Sequence, residues 1–195
     1  YTLVAVADYV LSQTPGPTVS NLSSSRALRD VTLRHGCTYS ASAVGEVNVV
    51  TEMRRVGAVI GGEGNGGVIY PESHCGRDAL VGVALFLTLL AKKGKTVSQL
   101  KQEYPQYSIA KNKIQLTPAI DVDAILAAVK EQYKDERITD IDGVKIDFAD
   151  CWVHLRKSNT EPIIRIYSEA DTIEKANDIA NQIKAVVTKI TGRPC

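Results

Sequence analysis

Gly61-Gly62-Glu63-Gly64-Asn65-Gly66-Gly67 decides how the first half of this chain folds. Five of the seven residues are glycine, and the other two carry hydrogen-bonding side chains. Glycine serves where a backbone takes positive φ or admits another group closely, and it costs entropy elsewhere. A cluster this dense therefore has a structural reason. Ahead of it, Gly57-Ala58-Val59-Ile60 reads as the end of a short buried strand. Behind it, Val68-Ile69-Tyr70 is β-branched and aromatic and is stopped by Pro71. The segment is a loop between two strands, with a carboxylate and an amide at its crest. Gly62, Gly64 and Gly67 also have the spacing of a dinucleotide fingerprint. That motif needs a helix opening at its third glycine and an acid about 20 residues further on. Here a strand and Pro71 follow, the region around Leu87 is apolar, and Glu63 would repel a pyrophosphate. A carboxylate between glycines suits a neutral polyol, whose paired hydroxyls it can accept from. A glycine-rich hairpin with no ligand is the plainer alternative.

Outward from this loop, strands and helices alternate. Tyr1 to Leu11 reads as an amphipathic helix ended by Pro15-Gly16-Pro17. It has neither an initiator methionine nor a cap before it, which suggests a fragment of a longer protein. Thr18 to Leu22 is a strand, Arg26 to His35 a helix with Ser23 to Ser25 as cap candidates, Thr38 to Val44 a strand, and Glu46 to Arg55 a helix. Asp78 caps an apolar helix from Ala79 to Ala91, and Thr96 and Ser98 open a short one that ends near Tyr104. The alternation indicates an α/β domain over residues 1–105, three-layered, with a mixed or mostly parallel sheet.

Beyond Pro105 the pattern changes. Ile109 to Leu116 is a lysine-bearing strand suited to a sheet edge, and Asp121 to Tyr133 is a helix. Asp142-Gly143 is a two-residue hairpin signal between Ile138 to Ile141 and Val144 to Phe148. Trp152 to Arg156 and Ile163 to Tyr167 are strands, and Thr172 to Ile190 is a long helix. An antiparallel sheet with two helices makes residues 106–195 a small α+β domain.

The chain of 195 residues is 44% hydrophobic, so a real core is available. With 23 basic and 22 acidic residues in no blocks, it has no electrostatic footprint for nucleic acid. No apolar run approaches the roughly 20 residues that span a bilayer, and no signal peptide is evident. Cys37, Cys75, Cys151 and Cys195 lack CxxC spacing and read as reduced thiols of a cytoplasmic protein. His35 with Cys37, and His74 with Cys75, have no recurring zinc spacing and read as packed cysteines and surface histidines. Asp140, Asp142 and Gly143 echo a calcium loop, but Ile138 and Ala149 stand where carboxylates are needed.

Arg156-Lys157-Ser158-Asn159-Thr160-Glu161-Pro162 joins the last two strands. It gathers two cations, two hydroxyls and an amide in five consecutive residues. Guanidinium matches phosphate oxygens bidentately, lysine adds a point charge, and hydroxyls with turn N–H groups fill the remaining lone pairs. A simple hairpin needs none of this. A solvated polar turn is the alternative.

A polyol-reading acid in one domain and an oxyanion pocket in the next imply a phosphosugar. The glycine loop, Gly76-Arg77-Asp78, Ala43-Val44-Gly45-Glu46 and Arg-Lys-Ser-Asn-Thr-Glu-Pro together resemble the α-D-phosphohexomutase family. That family includes phosphoglucomutase, phosphomannomutase and phosphoglucosamine mutase. The resemblance covers the whole chain but only the third and fourth domains of a four-domain protein, the fourth being TATA-box-binding-protein-like. It implies sugar binding by Glu63, Gly64, Asn65 and Gly66, with Glu63 and Asn65 on the hydroxyls at C3 and C4. It implies phosphate binding by Arg156, Lys157, Ser158, Asn159 and Thr160, with Arg165 on the following strand. Many members carry His where Gly67 stands, and some carry Lys at Ala43, so neither contact is available here.

The family's phosphoserine loop and its Asp-rich magnesium loop do not occur in this sequence. The resemblance therefore implies no catalytic residue and no metal here, with Mg2+ in the full-length protein. It implies a hexose or hexosamine phosphate and the missing N-terminal domains as partners, and an isolated chain without mutase activity. A stand-alone sugar-phosphate-binding module is the alternative reading of the same two loops.

Overall fold

Residues 1–116, 121–158 and 160–192 are described by the structure, a computed structural model. They fall into two units, Tyr1–Gln106 and Tyr107–Cys195.

In the first unit, strands β1 (Thr18–Asn21), β2 (Tyr39–Ser42) and β3 (Ile60–Gly62) are parallel. Strand β4 (Val68–Ile69) runs antiparallel to β3, giving a mixed sheet in the order β2-β1-β3-β4. Strand alternation distributes the helices. Val19 and Ile69 pack with Val49 and Met53 of α3 (Glu46–Val56). Thr18 faces the other way and bonds Thr32 of α2 (Ala27–Arg34), Oγ1 to Oγ1 at 2.6 Å. Helix α1 (Thr2–Gln13) packs with α2 and with α4 (Ala79–Lys93). Val68, which alternates with Ile69, lies against Gly82 of α4. The unit is three-layered.

Side chains close the starts of α4 and α5 (Val97–Lys101) where the sequence placed polar caps, whereas the cap position of α2 is Arg26, not one of Ser23 to Ser25, and makes no side-chain capping bond. Asp78 Oδ1 accepts the Val81 N–H at 2.9 Å to start α4. Thr96 and Gln99 make a reciprocal capping box on α5. Helix α1 departs from its amphipathic expectation, because Leu3 to Asp8, Val10 and Leu11 are all buried. Asp8 is tolerated there because it accepts from Arg34 Nη2 (2.9 Å), His35 Nε2 (2.7 Å) and Tyr104 Oη (3.0 Å). His35 is thus a structural partner of a buried acid rather than a free surface histidine.

The second unit is a five-stranded antiparallel sheet in the order β5-β9-β8-β7-β6. Its strands are β5 (Ser108–Gln115), β6 (Arg137–Thr139), β7 (Val144–Asp147), β8 (Trp152–Lys157) and β9 (Ile163–Ala170). Both helices, α6 (Val122–Gln132) and α7 (Ile173–Thr191), contribute to one apolar core with Ile114, Val144, Ile146, Val153, Leu155, Ile164 and Ile166. The β6–β7 connection holds four residues, Asp140 to Gly143, rather than two. Gly143 (φ 70°) is required there by crowding, since a Cβ would lie 2.1 Å from the Leu155 carbonyl oxygen. None of the described helices is long and apolar enough to cross a membrane.

Candidate functional site

The glycine loop closes on itself through backbone bonds. Glu63 N–H donates to the Gly67 carbonyl and Gly66 N–H to the Glu63 carbonyl, each at 3.0 Å. Asn65 Oδ1 accepts the Gly67 N–H at 3.0 Å. Gly64, Asn65 and Gly66 are exposed at the crest. Glu63 is different: it is only 6% exposed, and its carboxylate is already engaged. Oε1 accepts from Asn21 Nδ2 at 2.9 Å, and Oε2 lies 3.3 Å from Arg77 Nη1. Each oxygen keeps further acceptor capacity, since a carboxylate offers about four lone-pair sites.

The partners are themselves fixed. Asn21, at the end of β1, has its Oδ1 held by the Ser23 N–H (3.1 Å) and the Ser24 hydroxyl (2.9 Å), so its Nδ2 must face Glu63. Arg77 is gripped by Glu46 in the first turn of α3, Nε to Oε2 at 2.7 Å and backbone N to Oε1 at 2.9 Å. Those bonds hold the Glu46 carboxyl below the usual carboxylate range and push the Arg77 guanidinium up. Asn21, Arg77 and Glu46 stand around Glu63 although the sequence alone attached no role to them. Only the Gly-Arg-Asp and Gly-Glu motifs marked two of them.

In the second unit, Arg156 and Lys157 stand on β8 rather than in the loop. Strand alternation then separates them. Lys157 registers with Ile164 on the helix-covered face, whereas Arg156 registers with Arg165 on the other. Lys113 of β5 registers with Arg165 in turn. Three cations therefore stand side by side across three neighbouring strands. Arg165 Nη2 reaches Glu161 (2.7 Å) and the Ser158 hydroxyl (3.4 Å). Arg156 Nε is buried without a hydrogen-bond partner among the described residues. Ser158 is buried, and its Oγ also receives the Thr160 and Glu161 N–H groups at 3.4 and 3.3 Å. Asn159 lies outside the described residues.

The same helix-free face continues through His154, Trp152, Lys145 and Glu169. Trp152 Nε1 donates to Glu169 Oε1 at 2.7 Å, and Lys145 Nζ sits 4.3 Å from the indole centroid. His154 Nε2 donates to the Asp142 carbonyl at 2.7 Å. Burial pushes this imidazole down to about 4 against that hydrogen bond, with the Lys145 and Arg156 charges adding to the shift. Among the described residues no three His, Cys, Asp or Glu side chains gather as metal ligands would.

Two family models match the chain. Residues 1–107 match phosphoglucomutase/phosphomannomutase, alpha/beta/alpha domain III, and residues 111–186 match the phosphoglucomutase/phosphomannomutase C-terminal domain. A phosphoglucomutase/phosphomannomutase of Thermococcus kodakarensis is 40% identical over 91% of this chain and 39% of its own length. A phosphoglucosamine/phosphogalactosamine mutase of Sulfurisphaera tokodaii is 34% identical over 87% of this chain and 38% of its own. A crystal structure of a phosphoglucomutase/phosphomannomutase family protein from Burkholderia thailandensis superposes with a TM-score of 0.81 at 22% identity. That match covers 96% of this chain and 41% of the other, and it shows the likeness of fold. The chain spans about two fifths of the length of these curated relatives.

Proposed function

This chain belongs to the phosphoglucomutase/phosphomannomutase family, and on that premise we propose that it is the substrate-gripping portion of a phosphohexomutase. The whole protein moves a phosphoryl group between C1 and C6 of a hexose or hexosamine phosphate. A phosphoserine outside this chain donates to the sugar monophosphate, the bisphosphate turns over, and the other phosphate returns to the serine. Glu63 accepts from the hydroxyls at C3 and C4, and Asn65 adds an amide at the crest. Arg156, Arg165, Ser158, Asn159 and Thr160 take the phosphate that is not reacting. A guanidinium reads phosphate geometry whichever carbon carries it. Turning the sugar end for end leaves its C3 and C4 hydroxyls in nearly equivalent places. The two loops therefore serve both orientations.

The observation that carries this reading is the Arg156–Arg165 pair. Like charges directly opposite on neighbouring strands are destabilising, and the Arg156 Nε is buried with no hydrogen-bond partner among the described residues. A phosphate dianion relieves both costs. Titrating the chain with glucose 6-phosphate and glucosamine 6-phosphate while following the phosphorus resonance tests it. Saturable shifts are expected for the parent chain and their loss for Arg156→Ala. No shift with either sugar phosphate, or identical shifts for parent and variant, contradicts the proposal. The chain alone, given a hexose bisphosphate and magnesium, is expected to interconvert no 1-phosphate and 6-phosphate sugars.

A further inference from the structure

We infer that Arg77 is the positioning residue of the sugar loop, and that position 67 is glycine to make room for it. This rests on the reading of Glu63 as the group that accepts the sugar hydroxyls. A carboxylate selects a diol only if its plane is fixed, because a rotating carboxylate loses the directionality of its lone pairs. The backbone bonds of Glu63 hold its Cα in the loop but leave the torsions of its side chain free. The carboxylate plane is set from outside on both oxygens, by the hydrogen bond from Asn21 Nδ2 to Oε1 and by the ion pair that puts Arg77 Nη1 3.3 Å from Oε2. Asn21 comes from a buried strand end. Arg77 comes from an exposed segment and is 45% exposed itself, so it needs an anchor. Glu46 supplies one through both the side chain and the backbone of Arg77. The chain Glu46–Arg77–Glu63–Asn21 thus links the start of α3, the segment before α4, the glycine loop and β1.

The steric evidence is independent of these bonds. A Cβ built on Gly67 meets Arg77 Cδ at 2.5 Å, closer than real contacts allow, with Arg77 Cγ at 3.1 Å and Asn65 Oδ1 at 3.2 Å as tight neighbours. Gly67 is not in a left-handed conformation, so backbone freedom is not what its glycine provides. The aliphatic stem of Arg77 lies across the loop in the space a side chain would fill. Gly67→Ala therefore displaces Arg77 while leaving every charged group present.

The test is a calorimetric comparison of glucose 6-phosphate and inorganic phosphate binding to the parent, Gly67→Ala, Arg77→Met, their double variant, and Glu46→Gln. Gly67→Ala and Arg77→Met are each expected to weaken glucose 6-phosphate about tenfold, the worth of one lost charge-assisted orientation. Inorganic phosphate affinity should stay unchanged in both. The double variant should lose no more than either single one, because both remove the same contact. Glu46→Gln, which touches neither Glu63 nor the loop, should weaken the sugar phosphate in the same selective way, and it carries the test should Arg77→Met not fold. Parent-like affinity in Gly67→Ala, additive losses in the double variant, or equal losses for inorganic phosphate overturn the role of Arg77. If Glu63→Gln binds glucose 6-phosphate as the parent does, the sugar-loop reading beneath it falls instead.

Discussion

Glu63 and Arg156, the central charges of the two proposed loops, stand in opposite surroundings. In the first unit the Glu63 charge is buried and already partnered, its acid answered by Arg77 and that cation answered by Glu46. In the second, Arg156 faces Arg165 across the strands, Lys113 flanks them, and Glu161 is the acid bonded to Arg165. The first arrangement is settled without ligand and suits a neutral partner that only adds hydrogen bonds. The second, with one acid bonded to its three cations among the described residues, keeps net positive charge and suits an anion. A site for hydroxyls can be built to satisfaction, whereas a site for phosphate must keep some electrostatic cost until the phosphate arrives.

The contrast predicts different pH limits for the two units, and this is the largest effect expected. His154 in the second unit has its imidazole at about 4 when folded, against an ordinary value of 6.5. The unfolded chain therefore takes up the proton first. The contribution is complete above about pH 6.5 and is lost as pH falls towards about 4, on the order of 3 kcal/mol in all. In the first unit, burial pushes the Asp8 carboxyl up, but hydrogen bonds from His35, Arg34 and Tyr104 outweigh it and hold the group below its ordinary 3.8. Its contribution is present above that value and lost only in stronger acid. Trp152, the one tryptophan, is fully buried in the second unit, so its fluorescence reports that unit alone. Urea midpoints read by Trp152 should fall between pH 6.5 and 4, and His154→Gln should remove most of that dependence. A midpoint that stays flat over this range breaks the contrast.

Next in size are the substitutions of the two central charges. Arg156→Ala should weaken inorganic phosphate by about 1.5–3 kcal/mol while leaving thermal stability equal or slightly higher, since the clash with Arg165 is relieved. Glu63→Ala should cost about 1–3 kcal/mol of stability, because the buried Asn21 amide loses its acceptor and Arg77 loses an ion-pair partner. Melting curves of the two variants separate a strained site from a settled one. Equal destabilisation by both would show that the distinction does not exist.

Lys113→Met tests the edge of the cationic row and should be the smallest effect. A third, solvent-exposed cation is worth about 0.2–1 kcal/mol. A loss of phosphate affinity of about 1.4- to fivefold, vanishing at high salt, is expected by calorimetry. A salt-independent loss would mean that Lys113 acts through packing.

Much of this architecture could be read locally. Asp78 and Asp121 announce helix starts because a short acid can accept a nearby N–H without any tertiary partner. The glycine loop and the Arg156 loop are contiguous runs, so their composition alone pointed to polyol and phosphate chemistry. What escaped reading is tertiary or geometric. Asn21 and Glu63 are far apart in sequence, and nothing in either neighbourhood names the other. Lys157 looks equivalent to Arg156 in a string of letters, yet one step along a strand turns it to the other face. That separation was legible from the alternation of Val153 and Leu155 with His154 and Arg156. The burial of His154 followed only from the sheet's second face.

The most direct test of the division between the loops is the salt dependence of glucose 6-phosphate affinity in the parent, Glu63→Gln and Arg156→Ala. Affinity in the parent should fall steeply as ionic strength rises. Glu63→Gln should bind more weakly at every salt concentration with the slope preserved, and Arg156→Ala should bind weakly with the slope flattened. If Glu63→Gln flattens the slope as much as Arg156→Ala does, the first loop is part of the electrostatic site and the division of labour is wrong.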